Sequence, residues 1–294
     1  MTGRVTVVGS ANVDLVYRVA RIPAPGETVT ADSVDVYAGG KGLNQAVAAR
    51  RAGAVTELVA AVGGDDHAQL LVDAVNREGM NPARLRRVDG PSGSAVVTID
   101  AAGENNIVIL RGANAALRRL TEDERELVRS SDVLVCQLEV PDSAVDDAVR
   151  TALSAGVKVV LNPTPVRPVS AAIIAAVDVL IVNEHEAEQL RVTDMPVPCV
   201  VTTLGSRGAT LAVSGKPLVR IPARKTFAID STGAGDTFVG YFAAGIAAGA
   251  DYETAAHRAS IAGSLSVEEQ GAVSSIPTTQ TVNDTLHIER VGNS

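Results

Sequence analysis

Asp230-Ser231-Thr232-Gly233-Ala234-Gly235-Asp236-Thr237-Phe238 decides how the rest of this 294-residue chain reads. Two glycines one residue apart let backbone N–H groups turn inward onto an anion, and the apolar run Phe238 to Ala248 reads as a helix whose N-terminus adds its dipole. Asp236 then lies where a phosphoryl acceptor would sit. A carboxylate there repels phosphate, so its presence points to a proton acceptor rather than a phosphate ligand. The alternative makes the segment a plain helix start, with Asp236 capping the first-turn amides. A Walker loop is excluded, because Gly40-Lys41 is followed by Gly42 and position 35 is Asp. A dinucleotide fingerprint is excluded as well, because Phe238 stands where its third Gly would be.

Outward from this segment the chain alternates. Helix 43–52, strand 56–62, helix 67–78, strand 133–138, helix 142–155, strand 158–161 and strand 179–182 follow one another on short connections, which predicts right-handed crossovers and a parallel sheet. Strands are also expected over 199–203, 210–213 and 216–221, the last two as a hairpin about Ser214-Gly215, and then helices over 238–248 and 252–267 before a polar tail. Two stretches break the rhythm. Residues 12–38 and 94–111 carry short extended patterns without helical periodicity, so they are expected to form a small sheet standing off the core. In such folds ligands collect at the C-terminal ends of the strands, where Asn12, Asp14, Glu139, Asn162, Asn183 to Glu186 and Thr203 to Gly208 all fall.

With 46% hydrophobic residues, the chain can bury one large α/β core with at most a modest appendage. Trp is absent and only 2% of residues are aromatic, so packing rests on Ala, Val and Leu. The net charge of −8 and the lack of a basic run exclude a nucleic-acid surface. The apolar strand pattern at Val5 to Val8 follows no charged leader and no membrane-length span appears, so a cytoplasmic protein without membrane partners is expected. Cys136 and Cys199 lie in apolar runs and read as reduced core residues. His185-Glu186-Ala187-Glu188-Gln189 lacks the second His of a zinc motif.

A second motif, Gly39-Gly40-Lys41-Gly42-Leu43-Asn44-Gln45-Ala46, sets glycines, a cation and an amide at the mouth of a helix. Paired donors and acceptors at fixed spacing suit a polyhydroxyl ligand. Taken with Gly9-Ser10-Ala11-Asn12-Val13-Asp14 upstream, it resembles the first signature of the PfkB-type carbohydrate kinases in their ribokinase branch, and Asp230 to Phe238 resembles the second. The resemblance runs on through Pro23 to Thr28, Gly112-Ala113-Asn114-Ala115, Gln137-Leu138-Glu139, Asn183 to Glu188 and Thr203-Leu204-Gly205-Ser206-Arg207-Gly208, nearly the whole chain.

The resemblance implies a ribokinase-like three-layer α/β domain over 1–294 with a central, mostly parallel sheet and a β-sheet lid from 12–38 and 94–111. It implies ATP-dependent transfer of the γ-phosphoryl group to the 5-hydroxyl of D-ribose, with deoxyribose or a ketohexose as alternative acceptors and a catalytically silent sugar-binding regulator as the alternative class. Asp236 would be the base. Asn12, Asp14, Gly40, Lys41, Asn44 and Glu139 would hold sugar hydroxyls. Asn183, Thr203, Leu204, Gly205, Ser206, Arg207, Gly208, Gly233, Ala234, Gly235 and Ser260 would hold ATP. Glu186 would organise Mg²⁺ through water, and Asp230, Thr232, Ser266, Glu269, Gly271 and Ser275 would hold K⁺. A homodimer joined through the lid is implied too. Three positions depart from the family pattern: Ser260 in place of His or Asn, Glu268-Glu269-Gln270 in place of a basic stretch, and Leu43 in place of Ala.

Overall fold

The computed structural model describes residues 2–292. From β1 (Arg4–Val8) the chain leaves the core for β2 (Asn12–Val19) and β3 (Ala31–Gly39), then returns through α1 (Lys41–Arg51), β4 (Val55–Val62), α2 (Asp66–Arg77) and β5 (Leu85–Arg87). It departs again for β6 (Gly93–Ile99) and β7 (Asn105–Leu110). The second half runs α3 (Glu122–Arg129), β8 (Val133–Gln137), α4 (Asp142–Ala155), β9 (Lys158–Asn162), α5 (Ala171–Ile174), β10 (Val179–Asn183) and α6 (Glu184–Leu190). It ends with β11 (Cys199–Thr203), β12 (Ala209–Val213), β13 (Val219–Ile221), α7 (Ala234–Ala247), α8 (Tyr252–Ser266) and α9 (Thr279–Gly292).

Nine strands form one sheet in the order β13-β12-β11-β10-β9-β8-β1-β4-β5, parallel from β5 to β11 and antiparallel beyond. Val5 and Val7 of β1 face a core shared with α1, α2, α7 and α8, whereas Val8 faces the core under α3 and α4. That alternation makes three layers. Strand order reverses between β1 and β8, and a cleft opens at such a switch point.

The small sheet, ordered β3-β2-β6-β7, stands at this cleft because only three residues separate the end of β1 from the start of β2. Its root is locked by Asn114, which accepts from the Ala11 N–H at 3.0 Å and donates to Asn12 Oδ1 at 2.7 Å. No helix among the described residues is long and apolar enough to cross a membrane. Both cysteines are free and buried.

Some expectations need correction. The tail expected to be polar coil contains α9, and α3 escaped notice although Thr121 and Glu124 form a reciprocal capping box. The hairpin after β12 carries a longer loop than expected, since β13 starts only at Val219; Pro217 has no N–H for the ladder. Leu43 is fully buried in the core and does not reach the cleft.

Candidate active site

Small residues bring the site together. A Cβ on Gly240 of α7 would fall 2.4 Å from Ala48 Cβ and 2.5 Å from the Gln45 carbonyl oxygen, so α1 and α7 cross closer than any side chain would allow. Asp236 lies one turn before Gly240, which sets it over the first turn of α1. There Asn44 Nδ2 donates to Asp236 Oδ2 at 3.0 Å and Gln45 Nε2 donates to Oδ1 at 2.8 Å. Asp236 is only 7% exposed. Its carboxylate is therefore held from α1, and the helix-cap reading fails: Gly233 occupies the cap in a left-handed conformation (φ 76°) with no side-chain cap at all.

Around this carboxylate the walls are polar. Glu139, just beyond β8, accepts on one oxygen from Ser10 Oγ at 2.5 Å and from the Lys41 N–H at 3.1 Å. It thereby ties the start of α1 to the end of β1, satisfying amides that a helix N-terminus leaves free. Asp14 on β2 has its carboxyl pushed up to about 7, by burial first and then by the Glu139 and Asp236 carboxylates. Lys41 is held above the ordinary lysine range by Asp236, against the opposing effect of burial and with help from Glu139 and Glu186. Asn12 and Asn44 are buried, and Asn44 Oδ1 has no partner within the protein.

Two cavities meet at Gly235 and Thr203. The smaller, about 130 Å³, is lined by Lys41, Asn183, Glu186, Gly233 and Asp236. The larger, about 420 Å³, lies between the 205–208 turn, the 223–228 segment and the start of α7, with Ser260 and Ser264 of α8 on its wall. A Cβ on Gly205 or Gly235 would meet nothing within 4 Å, so both glycines border open space. Leu204 and Arg207 stay out of this wall: the Leu204 N–H closes the turn on the Gly208 carbonyl at 2.7 Å, and Arg207 pairs with Glu184. Ser260 lines the cavity but donates its hydroxyl to the Pro222 carbonyl at 2.9 Å.

The family pattern described as pfkB family carbohydrate kinase matches residues 2–279. The chain belongs to that family. Ribokinase of Haemophilus influenzae is 35% identical over 95% of this chain and 97% of its own length, and ribokinase of Arabidopsis thaliana is 34% identical over 94% and 79%. Among solved structures, Arabidopsis thaliana ribokinase complexed with ribose and ATP has a TM-score of 0.90 at 31% identity, covering 97% of this chain and 98% of that one. Ribokinase of Thermotoga maritima has the same score and identity over 97% and 99%.

Residues that the pfkB resemblance singled out for a monovalent cation meet beside the loop that leads into α7, where Asp230 bonds Thr232 and Gly271. Asp230 accepts from the Thr232 N–H and the Gly271 N–H, each at 2.9 Å. Burial pushes its carboxyl up, but the Thr232 side chain, these two N–H groups and the charge of Arg18 together outweigh burial and hold it below the usual range. Ser266 and Ser275 are buried and donate to the Gly263 and Ala272 carbonyls, which leaves their oxygen lone pairs available. Glu268 accepts from Arg224 Nη1 at 2.5 Å and from the Thr226 hydroxyl, so the acidic departure from the pfkB pattern fastens the rim of the larger cavity.

Two groups went unassigned in the sequence. Gln45, Asn162 and Thr164 connect Asp236 to Glu186, through Gln45 to Asn162 at 3.1 Å, Asn162 to Thr164 at 3.3 Å and Thr164 to Glu186 at 2.7 Å. The amide pair at 44–45 was visible, but nothing in its spacing said that both side chains turn to one distant carboxylate. Residues 223–228, with Arg224 and Lys225, line the larger cavity without helix or strand, and so left no periodic signal.

Proposed function

We propose that this chain transfers the γ-phosphoryl group of ATP to the 5-hydroxyl of D-ribose, giving ribose 5-phosphate and ADP. The observation that carries the reading is Asp236: a buried carboxylate whose oxygens both accept amide N–H bonds, standing on the wall of the smaller of two adjoining cavities. The Arabidopsis ribokinase that holds ribose and ATP, alike over nearly the whole chain, supports both ligands.

In this reading Asp236 takes the proton of the 5-hydroxyl as its oxygen forms the new P–O bond and the bond from the γ-phosphorus to ADP breaks. The uncapped first turn of α7 directs its N–H groups at the developing negative charge. Asn12, Asp14, Lys41, Asn44 and the free oxygen of Glu139 bind the sugar hydroxyls; the unpartnered Asn44 Oδ1 is an acceptor awaiting one. The adenosine occupies the larger cavity, whose volume suits a ligand of that size.

Glu186 and Asn183 organise Mg²⁺. Each Glu186 oxygen already accepts one hydrogen bond, from Thr164 at 2.7 Å and the Asn183 N–H at 2.9 Å, which favours contact through water. Asp230, Ser275 and the carbonyls of Thr232, Ser266, Glu269 and Gly271 provide an all-oxygen set suited to K⁺. Bound there, the cation adds positive field beside the first turn of α7.

Two copies pair through the small sheet in the cytoplasm. The cross-strand row Val36, Leu15, Val96, Val108 carries three exposed apolar side chains, and β7 is exposed along its length. Sedimentation should report a dimer that Val108→Asp weakens.

The test is a coupled kinase assay over pentoses, deoxyribose and ketohexoses, with K⁺ or Na⁺ at constant ionic strength. D-ribose should give the highest kcat/KM, and K⁺ the higher rate. A preferred acceptor other than D-ribose would overturn the substrate, and equal rates across cations would overturn the K⁺ site.

A further inference from the structure

Behind Asp236 lies a layer of amides. Gln45 is fully buried, and its Nε2 donates to Asp236 Oδ1 at 2.8 Å and to Asn162 Oδ1 at 3.1 Å. Its Oε1 accepts from Gln137 Nε2 at 2.5 Å. Gln137 is fully buried as well, and its own Oε1 has no partner. A buried orphan acceptor is costly, and turning the Gln137 amide round would only set its oxygen against the oxygen of Gln45. Turning both amides would satisfy that pair but aim Gln45 Oε1 at the Asp236 carboxylate. The arrangement therefore follows from the accepting oxygens of Asp236, and the cost is borne at the far end of the chain, at Gln137.

We infer that Gln45, oriented by Gln137, is a positioning residue that keeps the Asp236 carboxylate aimed as a proton acceptor. This rests on the reading of Asp236 as the base. The Gln45 N–H bond to Oδ1, with the Asn44 N–H bond to Oδ2, fixes the plane of the carboxylate. The charged groups coupled to Asp236 are Lys41 from the start of α1 and Asp14 from β2; Glu139 after β8 acts on both of these, and Glu186 on α6 acts on Lys41. Asn44 and Gln45 are the neutral members of this surround.

Gln45→Met keeps the length and removes the donor. It should lower kcat roughly 10-fold or more, with KM for sugar and ATP within about 3-fold. Gln137→Met acts from one residue further back: it removes the N–H that holds Gln45 Oε1, so kcat should again fall, by less than in Gln45→Met, with both KM values held. A role in packing alone lowers the melting temperature but leaves kcat of the folded protein in place. If Gln45→Met does not fold, Gln137→Met decides.

Asp236→Asn is measured beside them. If it is as active as the parent protein, the reading of Asp236 fails, and this inference with it. If it is inactive while folded Gln45→Met or Gln137→Met keeps the parent kcat, the inference alone is overturned.

Discussion

The proposed sugar side of the cleft is built on two packed helices, whereas the proposed nucleotide side is framed by irregular chain. On the sugar side, Asn44, Gln45 and Asp236 are buried on two helices that touch at Gly240, and every bond to the carboxylate comes from an amide of α1. On the nucleotide side, residues 222–233 have neither helix nor strand, Phe227 is 84% exposed, and Arg224 and Thr226 are tied down by Glu268. The difference teaches where this fold places geometric demand. Proton transfer needs atoms fixed to fractions of an ångström, while a nucleotide can be gripped by a rim that adapts to it.

The largest break in this comparison is Asp236→Asn, which keeps the shape but cannot take a proton. We expect kcat to fall about 10² to 10⁴-fold. Asn sets an N–H against one of the two α1 amide donors that the carboxylate accepts from, so the melting temperature should fall as well, and circular dichroism with steady-state kinetics on the folded protein checks both.

Glu139→Ala comes next, and it acts twice. It removes an acceptor from the sugar and the anchor of the Lys41 N–H and the Ser10 hydroxyl. The sugar KM should rise by an amount equivalent to roughly 1–3 kcal/mol, with a lowered melting temperature. An unchanged KM would remove Glu139 from the sugar side.

On the nucleotide side the effect should be smaller. Glu268→Gln weakens a half-exposed ion pair, so KM for ATP should rise only about 2- to 5-fold while KM for ribose stays constant. A larger effect on ribose than on ATP would erase the division between the two sides.

The smallest effect concerns Asp14. Its carboxyl is raised to about 7 in the folded protein, so between about pH 4 and 7 the folded state binds more protons than the unfolded. Stability from this group is present at low pH and is lost as pH rises through 7. Asp14→Asn should flatten that slope and stabilise the protein above pH 7 by about 1 kcal/mol, less than full linkage because the side chain is partly exposed. Urea titrations at pH 5 and 8 measure it.

Legibility in the sequence followed periodicity. Strands such as Val133–Gln137 and Cys199–Thr203 read cleanly, because parallel strands buried on both faces are continuous apolar runs. The small sheet was legible from the failure of the same rhythm. Asn183 and Glu186 illustrate a motif with two meanings, since they form a capping box in the fold and also face the smaller cavity. What could not be read was convergence from afar: Gln45 meets Asp236 across 191 positions, and Arg224 meets Glu268 across 44, contacts that only helix packing and loop closure create.

The most direct test of the account is ³¹P NMR of ATP and D-ribose incubated with the parent protein and with Asp236→Asn. The account predicts ADP and ribose 5-phosphate in equal amounts from the parent, and neither above background from the variant. Phosphate at another hydroxyl, ATP hydrolysis without a sugar phosphate, or equal product from the variant would contradict it.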